Sequence, residues 1–178
     1  MRYVALLRGI NVGGKSRVEM SRLKKVFEAL GCEHVTTYIN SGNVLFSDMR
    51  NAQVLCEVVE QAIEKEFGFF VPVVLRSATD IAALCAFIPV TWTNDTVQRT
   101  DVMFLWDEVD SPDILSKVAH KPDIENVLYV PGALVWNIGR ENVTKGSGIK
   151  LIKTELYKHM TVRNINTVRK LQILIEQK

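Results

Sequence analysis

The apolar positions of this chain fall into short runs with two different periods. Tyr3–Leu7 is apolar throughout and runs into Arg8-Gly9, the pattern of a strand buried on both faces. Met20, Leu23, Val26, Phe27 and Leu30 recur at helical spacing with Gly31 behind them, which predicts a helix over about 20–30 closed by glycine at C′. Two strands, Val35–Ile39 and Val44–Ser47, flank Asn40-Ser41-Gly42-Asn43, and the Ser-Gly step accepts the positive φ of a tight hairpin. A helix over about Ala52–Phe67 and a strand over Phe70–Arg76 complete the order β-α-β-β-α-β. That order is the ferredoxin-like, split βαβ arrangement, whose fourth strand lies at a sheet edge where Pro72 sacrifices no ladder hydrogen bond.

The second half repeats the pattern in part. It offers a short helix Asp80–Phe87, a strand Asp101–Trp106, a helix Ser111–His120, a strand Asn126–Val130, a Pro131-Gly132 turn and a strand Leu134–Ile138. Two helices follow, about Ile149–His159 and Thr167–Gln177, so the final strand of a second full unit is missing from the pattern. The expected fold is α+β: two ferredoxin-like halves packed together, the second incomplete or modified. Residues 1–78 form the first half, 79–98 a connecting segment with a short helix, and 99–178 the second half. Pro89 and the polar run Thr91–Thr100 mark the junction, and no repeat is visible in the sequence itself.

Composition narrows the setting. At 178 residues and 47% hydrophobic, the chain can bury one sizeable core or two small ones without staples. Cys32, Cys56 and Cys85 are odd in number and lack C-x-x-C spacing, which predicts reduced, mostly buried thiols in a cytoplasmic protein. No apolar run reaches the length of a membrane span or a secretory signal, so no membrane partner is expected. The net charge of +2 argues against a dedicated polyanion binder, yet it is unevenly spread. Residues 1–50 hold eight Lys/Arg against four Asp/Glu, residues 80–125 three against nine, and residues 137–178 nine against three. Either the segments neutralise one another, or the two basic ends converge on an anionic ligand.

Gly9-Ile10-Asn11-Val12-Gly13-Gly14-Lys15-Ser16 matches the phosphate-binding pattern G-x-x-x-x-G-K-[ST] between a strand and a helix, the context in which backbone N–H groups cradle phosphates. Met103–Glu108 even resembles an apolar strand ending in a magnesium-binding Asp. Against this, the Asn40–Asn43 hairpin forces antiparallel neighbours where a P-loop protein needs a mostly parallel sheet. Helical periodicity also begins only at Met20, leaving Lys15-Ser16-Arg17 in a loop. Ser21-Arg22-Leu23-Lys24 matches S-x-x-K without its partner motifs and fits a helix cap better; Ser147 likewise fits the cap of the helix near Ile149. His34, His120 and His159 have no metal-ligand spacing. No catalytic constellation, metal site or cofactor emerges.

Topology supplies the candidate site. In a split βαβ unit strands 1 and 2 run parallel with strand 3 between them, so the loop after strand 1 and the hairpin after strand 2 emerge together. Arg8, Asn11, Gly13 and Gly14 are thereby expected to meet Asn40, Ser41, Gly42 and Asn43. This is a cation, amide donors and closely approachable backbone, suited to a phosphate or carboxylate. The same residues would equally serve as turn chemistry, the asparagines satisfying backbone and the glycines supplying positive φ. A second polar cluster, Thr161–Thr167, contains Arg163 and Asn164 beyond what a cap at Asn166 or Thr167 requires. Three functions compete: a binder of a small anionic ligand, a nucleic-acid-binding module with Tyr3, Tyr38 and Phe46 as its stacking candidates, and a scaffolding or dimerising protein.

Leu6-Leu7-Arg8-Gly9-Ile10-Asn11-Val12-Gly13-Gly14, Thr37-Tyr38-Ile39-Asn40-Ser41-Gly42-Asn43-Val44, Thr161-Val162-Arg163-Asn164 and Asn166-Thr167-Val168-Arg169 together resemble the bacterial family called domain of unknown function 1697. The resemblance extends over essentially the whole chain. Its hallmark ends at the two glycines, which implies that the Lys15-Ser16 match is accidental. It implies two ferredoxin-like parts and supplies no activity, cofactor or catalytic residue.

Overall fold

The computed structural model describes residues 1–14 and 16–177. They form an α+β structure with two four-stranded antiparallel sheets and six helices, consistent with two similar halves. The chain divides into two compact units, one comprising Met1–Ile81 and the chain from Leu171 on, the other Ala82–Lys170.

In the first unit the strands are β1 (Arg2–Leu7), β2 (Glu33–Tyr38), β3 (Asn43–Ser47) and β4 (Val73–Ser77), in sheet order β2-β3-β1-β4. Strand β1 is buried from Tyr3 to Leu7, on both faces, as its unbroken apolar run requires. Tyr3, Ala5 and Leu7 face α1 (Met20–Ala29) and α2 (Ala52–Phe67), with Leu23, Phe27, Leu55, Val59 and Ile63 completing this core. The ring of Phe46 lies 5.7 Å from that of Tyr3 and 5.0 Å from that of Phe27, a packed aromatic trio. Asn51 caps α2 by accepting from the Val54 N–H, and Gly68, at φ 80°, ends it. Strand β4 is at a sheet edge, but Pro72 lies just outside it. At the other edge, β2 carries a bulge between Glu33 and Thr36, with His34 at φ 53°.

The second unit holds α3 (starting at Ala78 in the first unit and ending at Phe87), β5 (Gln98–Leu105), α4 (Ile114–Lys117), β6 (Glu125–Val130), β7 (Ala133–Gly139), α5 (Gly148–Leu151) and β8 (Met160–Asn164). α6 (Ile165–Glu176) begins in this unit and ends in the first. The strand order β6-β7-β5-β8 is the order of the first sheet over again. Backbone bonds repeat as well. Leu7 N–H donates to Gly42 O at 2.9 Å and Arg8 N–H to Pro72 O at 2.9 Å; Leu105 N–H donates to Gly132 O at 3.0 Å and Trp106 N–H to His159 O at 3.1 Å.

Two expectations for this half need correction. The final strand is present: Met160–Asn164 pairs antiparallel with β5, Met103 opposite Val162. The helices expected over 111–120 and 149–159 are single turns, followed at Leu156–His159 by a 3-10 segment. Thr154 accounts for the second break, because its hydroxyl donates to Leu151 O and accepts from Tyr157 N–H, competing with the helical ladder.

Candidate functional site

Among the described residues of the Arg8–Glu19 loop, φ is positive at Gly9, Asn11, Gly13, Gly14 and Ser16. Lys15 lies outside the described residues. Helix α1 starts only at Met20, and β1 sits in a wholly antiparallel sheet, so Gly9–Ser16 lacks the parallel strand–loop–helix frame of a P-loop.

Asn11 ties the loop together. Its Nδ2 donates to Val18 O at 2.9 Å and to Asn40 O at 2.8 Å, and its Oδ1 accepts from Val18 N–H at 2.9 Å. Both amide hydrogens and the carbonyl are engaged, so Asn11 positions the site rather than reaching for a ligand. The hairpin meets the loop at Gly42: a Cβ there would stand 2.7 Å from both Ile10 Cδ1 and Leu7 Cβ. Asn43 is fully buried and donates to Tyr38 O and Ser41 Oγ, holding the turn closed.

The loop and hairpin border a polar depression of about 500 Å³ lined by Asn11, Gly14, Arg17, Asn40 and the Val18–Met20 segment. Asn11, Gly14 and Asn40 are thus brought together; Arg8, Gly13 and Ser41 sit in the same loops, and Asn43 at the start of β3, without lining it. Arg17 was not singled out by sequence, since no motif spacing marks it; it is exposed and forms no ion pair among the described residues. Glu19, the one carboxylate of the lining, accepts from the Ser21 hydroxyl. Ser21 is therefore a helical residue of α1 and not its cap.

Arg163 and Asn164 belong to β8 of the second unit and do not line this depression. Arg163 is 7% exposed, donates to Thr161 Oγ1 and Val162 O, and burial pushes its guanidinium down to about 10. Asn164 Oδ1 accepts from Thr167 N–H at 2.9 Å, so Asn164, not Asn166 or Thr167, caps α6. Ser147 makes no capping bond; its N–H donates to Glu125. Among the stacking candidates, Tyr3 and Phe46 are each 2% exposed in the core, which removes them from any surface a base could reach.

Beneath the first sheet edge, Asp48, Arg50 and Cys32 form a structural group. Arg50 holds Asp48 at 2.5 Å and donates to Leu30 O, keeping the Asp48 carboxyl well below the usual range. Burial, together with the neighbouring Asp48, pushes the Cys32 thiol up to about 12, away from nucleophilic chemistry. Among the described residues no cluster of His, Cys, Asp and Glu could hold a metal, and no helix is long and apolar enough to cross a membrane.

A family described as Protein of unknown function (DUF1697) matches residues 1–136. The chain belongs to this family. It is also similar over its length to a solved structure, the conserved bacterial protein SP0830 from Streptococcus pneumoniae, at 31% identity and a TM-score of 0.86, with 98% of each chain covered. Comparison with curated proteins yields no match. The family assignment spans the whole first unit up to Ile81, including the loop, the hairpin and the depression they border.

Proposed function

We propose that this member of the family binds a small anionic ligand, phosphate- or carboxylate-bearing, in the depression bordered by the Arg8–Glu19 loop and the Asn40–Asn43 hairpin. The observation that carries the proposal is the lining itself: Arg17, with no ion-pair partner among the described residues, stands beside Gly14 and over a backbone fixed by Asn11. An unpaired guanidinium presents a fork of donors to a carboxylate or phosphate, and glycine backbone lets an oxyanion approach N–H groups closely. Arg8, Gly13, Ser41 and Asn43 belong to the segments that border the depression and do not line it. Arg163 and Asn164, also expected in the cluster from sequence, stand outside this site and serve β8 and α6.

Each unit is a ferredoxin-like, split βαβ fold on this proposal, supported by the shared antiparallel strand order and the repeated backbone bonds. The cysteines, odd in number and without C-x-x-C spacing, support a cytoplasmic setting.

Thermal-shift titration with inorganic phosphate, nucleotides and sugar phosphates, with and without magnesium, tests the binding. A ligand at about 100 times its Kd stabilises by about 2.7 kcal/mol. The expected result is a rise in melting temperature with at least one anion, abolished in Arg17→Ala. No shift from any of them, or an equal shift in Arg17→Ala, overturns it.

A further inference from the structure

The two sheets share a strand order but not a cover. In the first unit α1 and α2, ten and sixteen residues long, close the face carrying Tyr3, Ala5 and Leu7. In the second unit the connections after β5 and β7 supply α4 and α5, four residues each, and short 3-10 segments such as Leu156–His159. The matching bonds of Leu7 to Gly42 and of Leu105 to Gly132 set the two strands in register, so Asp101 takes the place of Tyr3 and, across the ladder, Trp136 that of Phe46. Where one unit buries a tyrosine, the other places a carboxylate.

The Met103–Leu105 end of this face is filled by Ile114, Val118, Leu134 and Leu151. At the Arg99–Asp101 end a cleft of about 90 Å³ remains, walled by Trp136, Met103, Ile138 and Val162. Its rim carries Ile149 and Ile152, 50% and 56% exposed, apolar surface left to water. At roughly 10–15 Å³ per water the space admits several waters, hence a single ring or a short chain.

Its charged lining is one guanidinium and two carboxylates. Glu125 accepts backbone N–H groups on both oxygens, from Ser147 and Lys121. Asp101 accepts from Arg99 Nε on Oδ2 at 2.6 Å, while Oδ1 takes no hydrogen bond among the described residues. Oδ1 is not sealed off, because no buried side-chain oxygen lacks a partner among them. Burial raises the Asp101 carboxyl above its ordinary range, and a cation at Oδ1 would offset that penalty.

We propose that this cleft binds a small organic cation, an ammonium or amidinium on one ring or a short alkyl chain, donating to Asp101 Oδ1 with its apolar body against Trp136. The site shares no residue with the anion site and does not depend on it. Arg99 keeps the carboxylate oriented, and Ile149 and Ile152 lose exposed surface when the cleft fills.

The experiment is a two-dimensional NMR titration of the full chain with benzylamine, benzyl alcohol and benzoate, three probes of one shape and different charge. Benzylamine should shift resonances of residues 99–103, 136–138 and 148–152, with affinity at least about tenfold above the other two. Asp101→Asn, checked for an unchanged spectrum elsewhere, should remove that preference. Gly148 lines the cleft and a Cβ on it meets nothing within 4 Å, so Gly148→Leu should fill the space and abolish binding without unfolding the chain. Equal binding of all three probes, retained charge preference in Asp101→Asn, or no shift with benzylamine overturns the proposal.

Discussion

Gly42→Ala is the sharpest test of how the hairpin and the glycine-rich loop are locked together. The substitution acts twice. Gly42 lies at φ 75°, where an L side chain costs about 1–2 kcal/mol, offset by about 0.4–1 kcal/mol from the stiffer unfolded chain. The new Cβ also meets Ile10 Cδ1 and Leu7 Cβ at 2.7 Å each. Ile10 could swing its terminal methyl only within a packed core, and Leu7 Cβ is fixed to the backbone of β1. Overpacking of this kind costs about 1–3 kcal/mol more. The sum is about 3 kcal/mol, or roughly 6–12 °C in melting temperature for a chain of this size. Gly14→Ala is the internal control, because it shares the positive φ, at 75°, but its Cβ enters open space. Calorimetry on the two variants should show Gly42→Ala several degrees below Gly14→Ala. Equal melting temperatures would refute the close approach of hairpin and loop.

Asn11→Ala should cost about 2 kcal/mol in denaturant titration, from three hydrogen bonds at a partly solvated site, while Val12→Ala, 70% exposed, should be silent. Cys32 should resist Ellman's reagent in the native chain at pH 8 and react on unfolding, because its raised pKa leaves almost no thiolate; the stability it confers is full below the unfolded thiol pKa and is lost as pH rises toward about 12. Asp48 has the opposite sign: its depressed pKa contributes stability above the ordinary carboxyl range and loses it as pH falls through and below that range, so Asp48→Asn should flatten the acid limb of the stability curve. Glu125→Ala should cost about 2–4 kcal/mol, since it strands the Ser147 and Lys121 N–H groups of two loops.

The first unit was nearly all legible in the sequence, because its elements obey one period each. Tyr3–Leu7 is uniformly apolar, Met20–Leu30 is helical in spacing and ends at Gly31, and Asn40–Asn43 has turn chemistry on both sides of Gly42. The second unit was not, for local reasons. β8 reads Met160-Thr161-Val162-Arg163-Asn164, and a buried arginine beside a capping asparagine looks like a loop until β5 is seen beside it. Ile149, Ile152 and Leu156 keep helical spacing, which the Thr154 hydroxyl defeats. At the candidate site, residue type was legible and residue role was not. Asn11 looked like a ligand donor and is a tie, and Arg17 carried no pattern at all.

The internal repeat shows why. It is absent from the sequence yet present in strand order, in the paired bonds at Gly42 and Gly132, and in the way each post-strand loop grips its hairpin. In the first unit Asn11 Nδ2 donates to Asn40 O; in the second Asp110 Oδ1 accepts from Gly132 N–H and from the Tyr129 hydroxyl. One mechanical task is met by a donor in one half and an acceptor in the other, so the residue types diverge while the geometry persists. What differs between the halves is then what the shared frame does not require. In the first unit that is a loop with repeated positive φ beside Arg17, and in the second a cleft at one end of a sheet face covered by single-turn helices, with Asp101 where a core tyrosine would fit. A frame that folds without these features has no structural need of them, which is why the two candidate sites are placed there.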